Sequence, residues 1–452
     1  MRTEQKTEAV AGEKLDVWYA DRLVGRIERQ SASVLDIGFS YDAAWMTAAD
    51  AFPVSIRMPL SVQRHEPAIV YPWFLNLLPE GRTLEMVGAI LHVHEADVFA
   101  ILQEMGGDVA GALEIRKHGE PAPAGKPRNR RLTEAELAET IKRLPERPLL
   151  VGEDGIHMSV AGAQEKLPVV RYADGGIGLA LNGAPSTHIL KPRNAKFRAA
   201  VENEAFCLRL AAAVKLPAAE VSMHSAAGVD YLLVKRYDRI IENGVVRRLH
   251  QEDFCQATGF PPSLKYEWNA HIQRKGPGLK ACLDALNLTT AVAVNKIRFM
   301  DYMLFSVLCG NVDAHAKNYS LLIRSGANVT MAPLYDVMNG DIYENITRNL
   351  AMRIADKQRG GYIFGRHWDR FAEDNGLSKT QVRRRVAELT SAMLKALPGV
   401  VEELEKSNMP SGVYKEIAGY VTTYCTSMLS NLKNEPGEEE EAADEPNVTP
   451  AP

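Results

Sequence analysis

Features that would place a chain quickly in a familiar class are scarce in these 452 residues. Five cysteines (Cys207, Cys255, Cys282, Cys309 and Cys425) are scattered with no C-x-x-C pair. This argues against a disulfide framework or a zinc site and for reduced thiols serving as small core residues. Met1 to Lys14 is polar and holds no apolar segment of the kind that starts secretion. The longest apolar stretch, Thr289 to Gly310, is interrupted by Lys296, Arg298 and Asp301, so it reads as a buried helix and not a membrane span. A cytoplasmic protein with no membrane partner is expected. There is no internal repeat, and neither G-x-G-x-x-G nor a Walker A sequence occurs.

Positive charge is mildly in excess once the C-terminus is set aside. Glu435, Glu438 to Glu441, Asp444 and Glu445 carry seven negative charges after Lys433, so a formal net charge of −4 becomes +3 for the remainder. That proline-bearing acidic tail, with few large apolar residues, is expected to be disordered. A mildly basic body is compatible with nucleic acid nearby without demonstrating it.

Apolar spacing divides the rest. Leu15–Tyr19 and Leu23–Ile27 flank a short turn and predict a hairpin that opens a β-rich module; Glu95–Met105 has helical spacing. His118–Arg131, with Pro121, Pro123 and Pro127 among basic residues, reads as a linker. Beyond it, Leu167–Tyr172, Ile177–Leu181, His188–Lys191 and Tyr231–Val234 predict strands, and Val201–Ala212 predicts an amphipathic helix. After Tyr237 the patterns turn helical. The expected order is an extension (1–13), an N-terminal module (14–117), a linker (118–131), a sheet-bearing lobe (132–237), a helical lobe (238–432) and the tail (433–452). The expected fold class is α+β: a bilobal, protein-kinase-like fold with an N-terminal β-rich module and an all-α C-terminal lobe.

Asp313-Ala-His-Ala-Lys-Asn318, followed by Pro333-Leu-Tyr-Asp336, gives this layout its chemistry. In kinases one loop Asp orients the substrate hydroxyl, an Asn five residues later reaches Mg²⁺, and a later Asp holds the metal that bridges the phosphates. Asp313, Asn318 and Asp336 have those intervals. Tyr319–Ile323 and Val329–Pro333 predict a hairpin returning the chain from Asn318 to Asp336. Mg²⁺ takes hard oxygen ligands and keeps water and phosphate oxygens, so one amide and one carboxylate suffice from the protein. His315 has no second His or Cys at ligand spacing and reads as a neighbour in the loop. Asp and Asn are equally at home in turns, so the two-part pattern carries the reading and neither residue does so alone.

ATP would also need a lysine on a rigid element. Lys191 ends a predicted strand about ten residues before the helix carrying Glu202 and Glu204, either of which suits it as partner. Ser159-Val-Ala-Gly-Ala-Gln-Glu-Lys166 has small residues that let backbone amides approach an anion. Lys235-Arg236-Tyr237 joins the two expected lobes, where a backbone contact to adenine would fall and Tyr237 could stack.

These residues resemble the HipA family of bacterial serine/threonine kinase toxins. The likeness runs through 159–166, Thr187–Pro192, Glu202–Glu204, Arg236–Arg239, Gln251–Ala257, Asp313–Asn318 and Leu334–Asp336, with Asn76–Glu80 and Gly107–Gly111 matching the N-terminal module. It covers about residues 14 to 432. The resemblance implies Asp313 as catalytic base and Asn318 and Asp336 as Mg²⁺ ligands. It implies ATP contacts from Ala161, Gly162, Ala163, Gln164, Glu165, Lys166, Lys191, Lys235, Arg236, Tyr237, His315, Ala316, Lys317, Asn318, Tyr335 and Asp336. Ser159 matches the family's autophosphorylated serine. The implied target is an aminoacyl-tRNA synthetase, whose phosphorylation halts growth or produces persistence. The implied partners are a HipB-like helix-turn-helix antitoxin and, through it, operator DNA. Lys235 stands where the family commonly has Glu, a departure of little weight if adenine is read through backbone. Two other readings stay open: a co-repressor using Arg366, Arg370 and Arg383–Arg385 near DNA, and a small-molecule phosphotransferase.

Overall fold

The computed structural model describes residues 10–121, 128–194, 196–242, 245–269, 273–325 and 328–434. Residues 435–452 of the expected tail and the first nine residues of the expected extension lie outside them. Residues 10–13 are ordered: the Gly12 N–H donates to the Arg29 carbonyl at 2.8 Å, and Glu13 pairs with the Arg29 guanidinium at 2.8 Å.

The chain folds into two compact units. The first comprises residues 1–192, 225–252 and 322–329; the second comprises 193–224, 253–321 and 330–452. In the first unit, Lys14–Tyr19 and Arg22–Arg29 form the expected hairpin, with a bulge between Val17 and Trp18. Ile37–Tyr41, Arg64–His65 and Glu114–Lys117 complete a five-stranded sheet whose strands run antiparallel. Alternation along 25–29 buries Gly25, Ile27 and Arg29, the last because its guanidinium meets Asp97 at 2.8 Å. Helices Pro67–Leu75 and Val98–Met105 bring Trp73, Phe74, Phe99 and Leu102 into the buried core.

A second sheet is built around Leu167–Arg171, His188–Pro192 and Val229–Lys235, with Lys191 paired opposite Leu232. Ile177–Leu181 follows on the other side of 167–171, and its far neighbour is Arg128–Arg131. This corrects the expected linker: its last four residues are a strand, because their backbone pairs with 178–181 although their side chains are exposed. Residues 122–127 of that linker lie outside the described residues. One core, including Leu137, Ile141, Leu167, Val169, Leu179, Leu190 and Leu233, packs the helix Glu134–Arg143 on this sheet.

In the second unit, helices Val292–Leu308, Gly365–Asp374, Lys379–Glu405 and Val413–Asn431 join Ala200–Ala213. The expectation of an all-α C-terminal lobe over 238–432 is overturned. Strands occur at 239–242, 245–248, 250–253, 268–269, 274–275, 320–324 and 328–331. The helical reading lost those before residue 276 because short strands of two to four residues leave too little periodicity to see. Ser320–Arg324 is flanked by His250–Asp253 and Asn328–Met331, so the predicted hairpin after Asn318 is present and has a third strand. Helix 200–213 is not amphipathic in use: Glu202, Asn203 and Glu204 are as buried as Phe206 and Leu208. Buried polar groups need partners. Glu202 receives the Arg193 guanidinium at 2.6 Å, and Asn203 donates to the Asn339 carbonyl at 2.9 Å.

Candidate functional site

Helix 292–308 leads into the loop that carries Asp313 and Asn318. It stops at Gly310, where φ is +70° and an added Cβ would lie 2.4 Å from Asp341 Oδ2 and 2.6 Å from Asn339 Nδ2, so glycine is required. Beyond it, the Asp313 N–H donates to Asn311 Oδ1 at 3.3 Å, and the Asp313 carbonyl accepts from Asn318 Nδ2 at 2.8 Å and the His315 N–H at 2.8 Å. Ala316–Asn318 closes as a single 3₁₀ turn. The five-residue interval is thereby explained locally. Asn318 spends its NH₂ on the loop backbone, which directs the amide oxygen to serve as a hard acceptor for a cation.

Asp336 arrives on a separate segment. Leu334 pairs with Ala218, its N–H donating to Pro217 at 2.9 Å and its carbonyl accepting from Ala219 at 2.7 Å. Asp336 itself has φ +56°, a left-handed conformation that Asp tolerates but rarely adopts. Such backbone persists where its surroundings over-determine it, and it clusters at functional positions. Tyr335 is a brace: its hydroxyl donates to the Lys317 carbonyl at 2.6 Å and shares a 2.7 Å hydrogen bond with Ser320 Oγ.

Three residues that periodicity did not single out tie these segments together. Asn339, fully buried, donates to the Cys309 carbonyl at 2.9 Å and accepts from the Asp341 N–H at 2.9 Å, while its own N–H donates to Asn203 Oδ1 at 2.8 Å. Asp341 meets Arg348 and Tyr424, each at 3.0 Å. Burial nevertheless raises its carboxyl above the usual range, the Tyr424 and Arg348 contacts offsetting this only in part. Asn-Gly-Asp at 339–341 is the local signal: side chains that bond backbone, around a small residue.

Lys317 behaves differently from expectation. Its ammonium is buried against Asp253 Oδ2 at 2.6 Å, and Asp253 also caps the helix Phe254–Thr258. The side chain therefore anchors the loop.

In the first unit, Ser159 is completely buried. Its hydroxyl donates to the Leu77 carbonyl at 2.8 Å, its N–H donates to the Asp108 carbonyl at 3.0 Å, and Gly162 bridges to Pro79. The loop 159–166 is thus docked on the Asn76–Glu80 motif. Gly162 has φ +105°, and a Cβ there would lie 2.5 Å from Lys166 Nζ, which itself donates to the Ala161 carbonyl. Glycine is needed for Lys166 to fold back over the loop. Lys191 is 7 % exposed on its strand.

Arg236, expected beside adenine, is drawn inward. Its guanidinium meets Asp238 at 2.8 Å and Asp108 at 3.2 Å, and its N–H donates to the Thr187 carbonyl at 3.0 Å, so it anchors its segment and offers no side chain to a ligand. Arg239 reaches Asp108 at 2.8 Å and Arg248 reaches Glu114 at 3.2 Å. Burial alone would raise the Asp108 carboxyl, but the three guanidiniums outweigh it and hold the group well below the usual carboxylate range. Burial, reinforced by Arg236, pushes Arg239 down to about 10. Tyr237 donates its hydroxyl to Gln251, and Lys235 is exposed at the end of its strand.

The basic cluster considered for DNA is largely neutralised within the protein. Arg383 pairs with Asp369 at 2.6 Å, Arg385 with Asp301 at 2.7 Å, Arg384 with Glu388 at 3.6 Å and Arg370 with Asp356 at 3.2 Å. Among the described residues no helix is long and apolar enough to cross a membrane.

Comparison with known proteins sets this architecture in a class. Residues 158–397 match the HipA-like C-terminal domain and residues 15–116 the HipA N-terminal domain, so the chain belongs to the HipA family. Among its relatives is the putative kinase Y4mE of Sinorhizobium fredii, 38 % identical over 86 % of this chain and 92 % of that protein. The serine/threonine-protein kinase toxin HipA of Shewanella oneidensis is 28 % identical over 95 % of this chain and 98 % of its own length. A solved structure of the Shewanella oneidensis HipA, HipB and operator DNA complex superimposes with a TM-score of 0.77 and 26 % identity, covering 92 % of this chain and 96 % of that one.

Proposed function

We propose that this chain is a serine/threonine-protein kinase toxin that transfers phosphate from ATP with Mg²⁺. The observation that carries the reading is the pair of braced segments in the second unit, one presenting Asp313 and Asn318, the other Asp336 in a left-handed conformation. Asn318 and Asp336 supply hard oxygens suited to Mg²⁺, which when bound neutralises developing phosphate charge. Asp313 accepts the hydroxyl hydrogen of the acceptor Ser or Thr and orients its oxygen for attack. Lys191 and the amides of 161–166 hold the phosphates, and the backbone of 235–237 holds adenine. Names of relatives as kinases, one of them a serine/threonine kinase toxin, support the same activity.

Ser159 is the proposed site of inhibitory autophosphorylation. In the docked loop its hydroxyl is spent on Leu77, so modification requires the loop to leave that dock. The proposed partners are a HipB-like antitoxin and operator DNA, in keeping with the complex in which the Shewanella protein was solved. The proposed target is a translation-related protein, an aminoacyl-tRNA synthetase, and the proposed outcome is growth arrest or persistence.

The test is phosphate transfer from radiolabelled ATP in host lysate. Asp313→Asn and Asp336→Asn are each expected to lower incorporation by about 10²-fold or more and to relieve growth arrest. Transfer at the parental rate by either variant sinks the mechanism, and label confined to a metabolite favours a small-molecule phosphotransferase.

A further inference from the structure

We propose that Tyr266 is a positioning residue for the catalytic base, an inference that rests on the kinase reading above. Its hydroxyl donates to Asp313 Oδ1 at 2.6 Å, from a position 47 residues earlier in the chain. The loop backbone around Asp313 is fixed by Asn311 and Asn318, but those bonds engage its N–H and carbonyl and leave the carboxylate torsion unset. Tyr266 supplies that setting. By taking Oδ1 it leaves Oδ2 for the acceptor hydroxyl.

Tyr266 is built into place. Its ring stands edge-on to His315, with centroids 5.1 Å apart and planes at 87°. The preceding residue, Lys265, accepts from the Ala316 N–H at 3.1 Å, so the segment is bonded directly to the catalytic loop. On the other side, the Glu267 N–H donates to the Ala351 carbonyl at 3.1 Å, and Glu267 Oε2 accepts from the Arg353 N–H at 2.6 Å. Gly276 crosses behind: a Cβ there would lie 1.9 Å from the Leu264 carbonyl and 2.3 Å from that of Tyr266, so only glycine lets the chain close over this segment. A side chain clamped on both flanks serves as a fixed support. A substrate mimic that swings away would need one flank free.

The experiment uses the full chain and follows phosphate incorporation into the chain itself from radiolabelled ATP, over a range of ATP concentrations at neutral pH. Three variants are compared: parental, Tyr266→Phe and Asp313→Asn. Tyr266→Phe keeps the ring against His315 and removes only the hydroxyl. Its rate constant is expected to fall about 10-fold or more at neutral pH, as for loss of a hydrogen bond to a charged group. The KM for ATP should be unchanged, so that the loss falls on kcat, because the hydroxyl touches Asp313 and not the nucleotide. Stabilisation by a non-hydrolysable ATP analogue with Mg²⁺, read as a rise in melting temperature, should be unchanged. Rates are referred to the fraction of chain that binds the analogue, so the comparison decides the matter even where Tyr266→Phe costs stability. A Tyr266→Phe rate equal to or above the parental one, or a loss that lies in KM and not in kcat, overturns the inference and makes Tyr266 a competitor or a bystander. Should Asp313→Asn also label at the parental rate, the kinase reading itself has failed, an outcome distinct from failure of the Tyr266 inference alone.

Discussion

Asp108→Asn tests whether buried charge holds the 235–239 segment. The Asp108 carboxylate lies 2.8 Å from Arg239, 3.2 Å from Arg236 and 3.6 Å from Arg248, and also accepts from the Ser186 N–H at 3.1 Å. With Asp238 and Glu114, three carboxylates oppose three guanidiniums, and every side chain in the set is 10 % exposed or less. Asparagine preserves the shape and one acceptor oxygen but leaves three cations facing two anions. Removing one partner of a buried ionic group costs about 3 to 5 kcal/mol, because an uncompensated charge stays in low dielectric. That is a large part of the roughly 5 to 15 kcal/mol that holds a domain folded. Urea denaturation followed by circular dichroism measures it, and urea leaves the ion pairs unscreened. Asp174→Asn, which removes an exposed pair with Arg131, is the control and should not move the midpoint. The sign with pH follows from the direction of the shift. A carboxyl depressed in the folded state contributes fully above its unfolded pKa, about 3.9, and loses that contribution as pH falls towards the lower folded value. The gap between parental protein and Asp108→Asn should therefore narrow below about pH 4. A loss under about 1 kcal/mol at neutral pH, the scale of a surface pair, would refute the reasoning.

Two further outcomes follow from the loops. Ser159→Asp forces a carboxylate into a fully buried position whose neighbour is the Leu77 carbonyl, so the 159–166 loop should leave its dock and become cleavable in limited proteolysis. Ser159→Ala should keep the loop protected and abolish labelling at that site. Gly310→Ala places a methyl 2.4 Å from Asp341 Oδ2 at φ +70°; a loss of about 1 to 3 kcal/mol is expected by thermal denaturation, with reduced phosphate transfer.

What the sequence disclosed was local. The hairpins at 14–29 and 167–181, the helix ending near Leu308 and the interval from Asp313 to Asn318 are all written in near neighbours, through alternation, turn residues and a side chain bonding backbone five residues away. What it concealed was long-range. The pairing of Arg236 with Asp108 spans 128 residues. That of Lys317 with Asp253 spans 64, and no local pattern marks it. Tyr266 gave no signal, since its relation to Asp313 is made by the fold. The strand 128–131 was hidden by its exposed basic side chains, since what makes it a strand is backbone pairing with 178–181. Composition reports where a side chain prefers to be, and pairing of this kind overrides it.

Asn339 has a consequence for motion. One buried amide fastens the end of the helix before Asp313, through the Cys309 carbonyl, and the turn after Asp336, through Asp341 and Ile342; its backbone is gripped in turn by Asn203. The two carboxylates thus share a single fastener and do not breathe independently. Local opening of one loop is expected to accompany opening of the other, so that the segments carrying Asp313 and Asp336 exchange hydrogen as one cooperative unit.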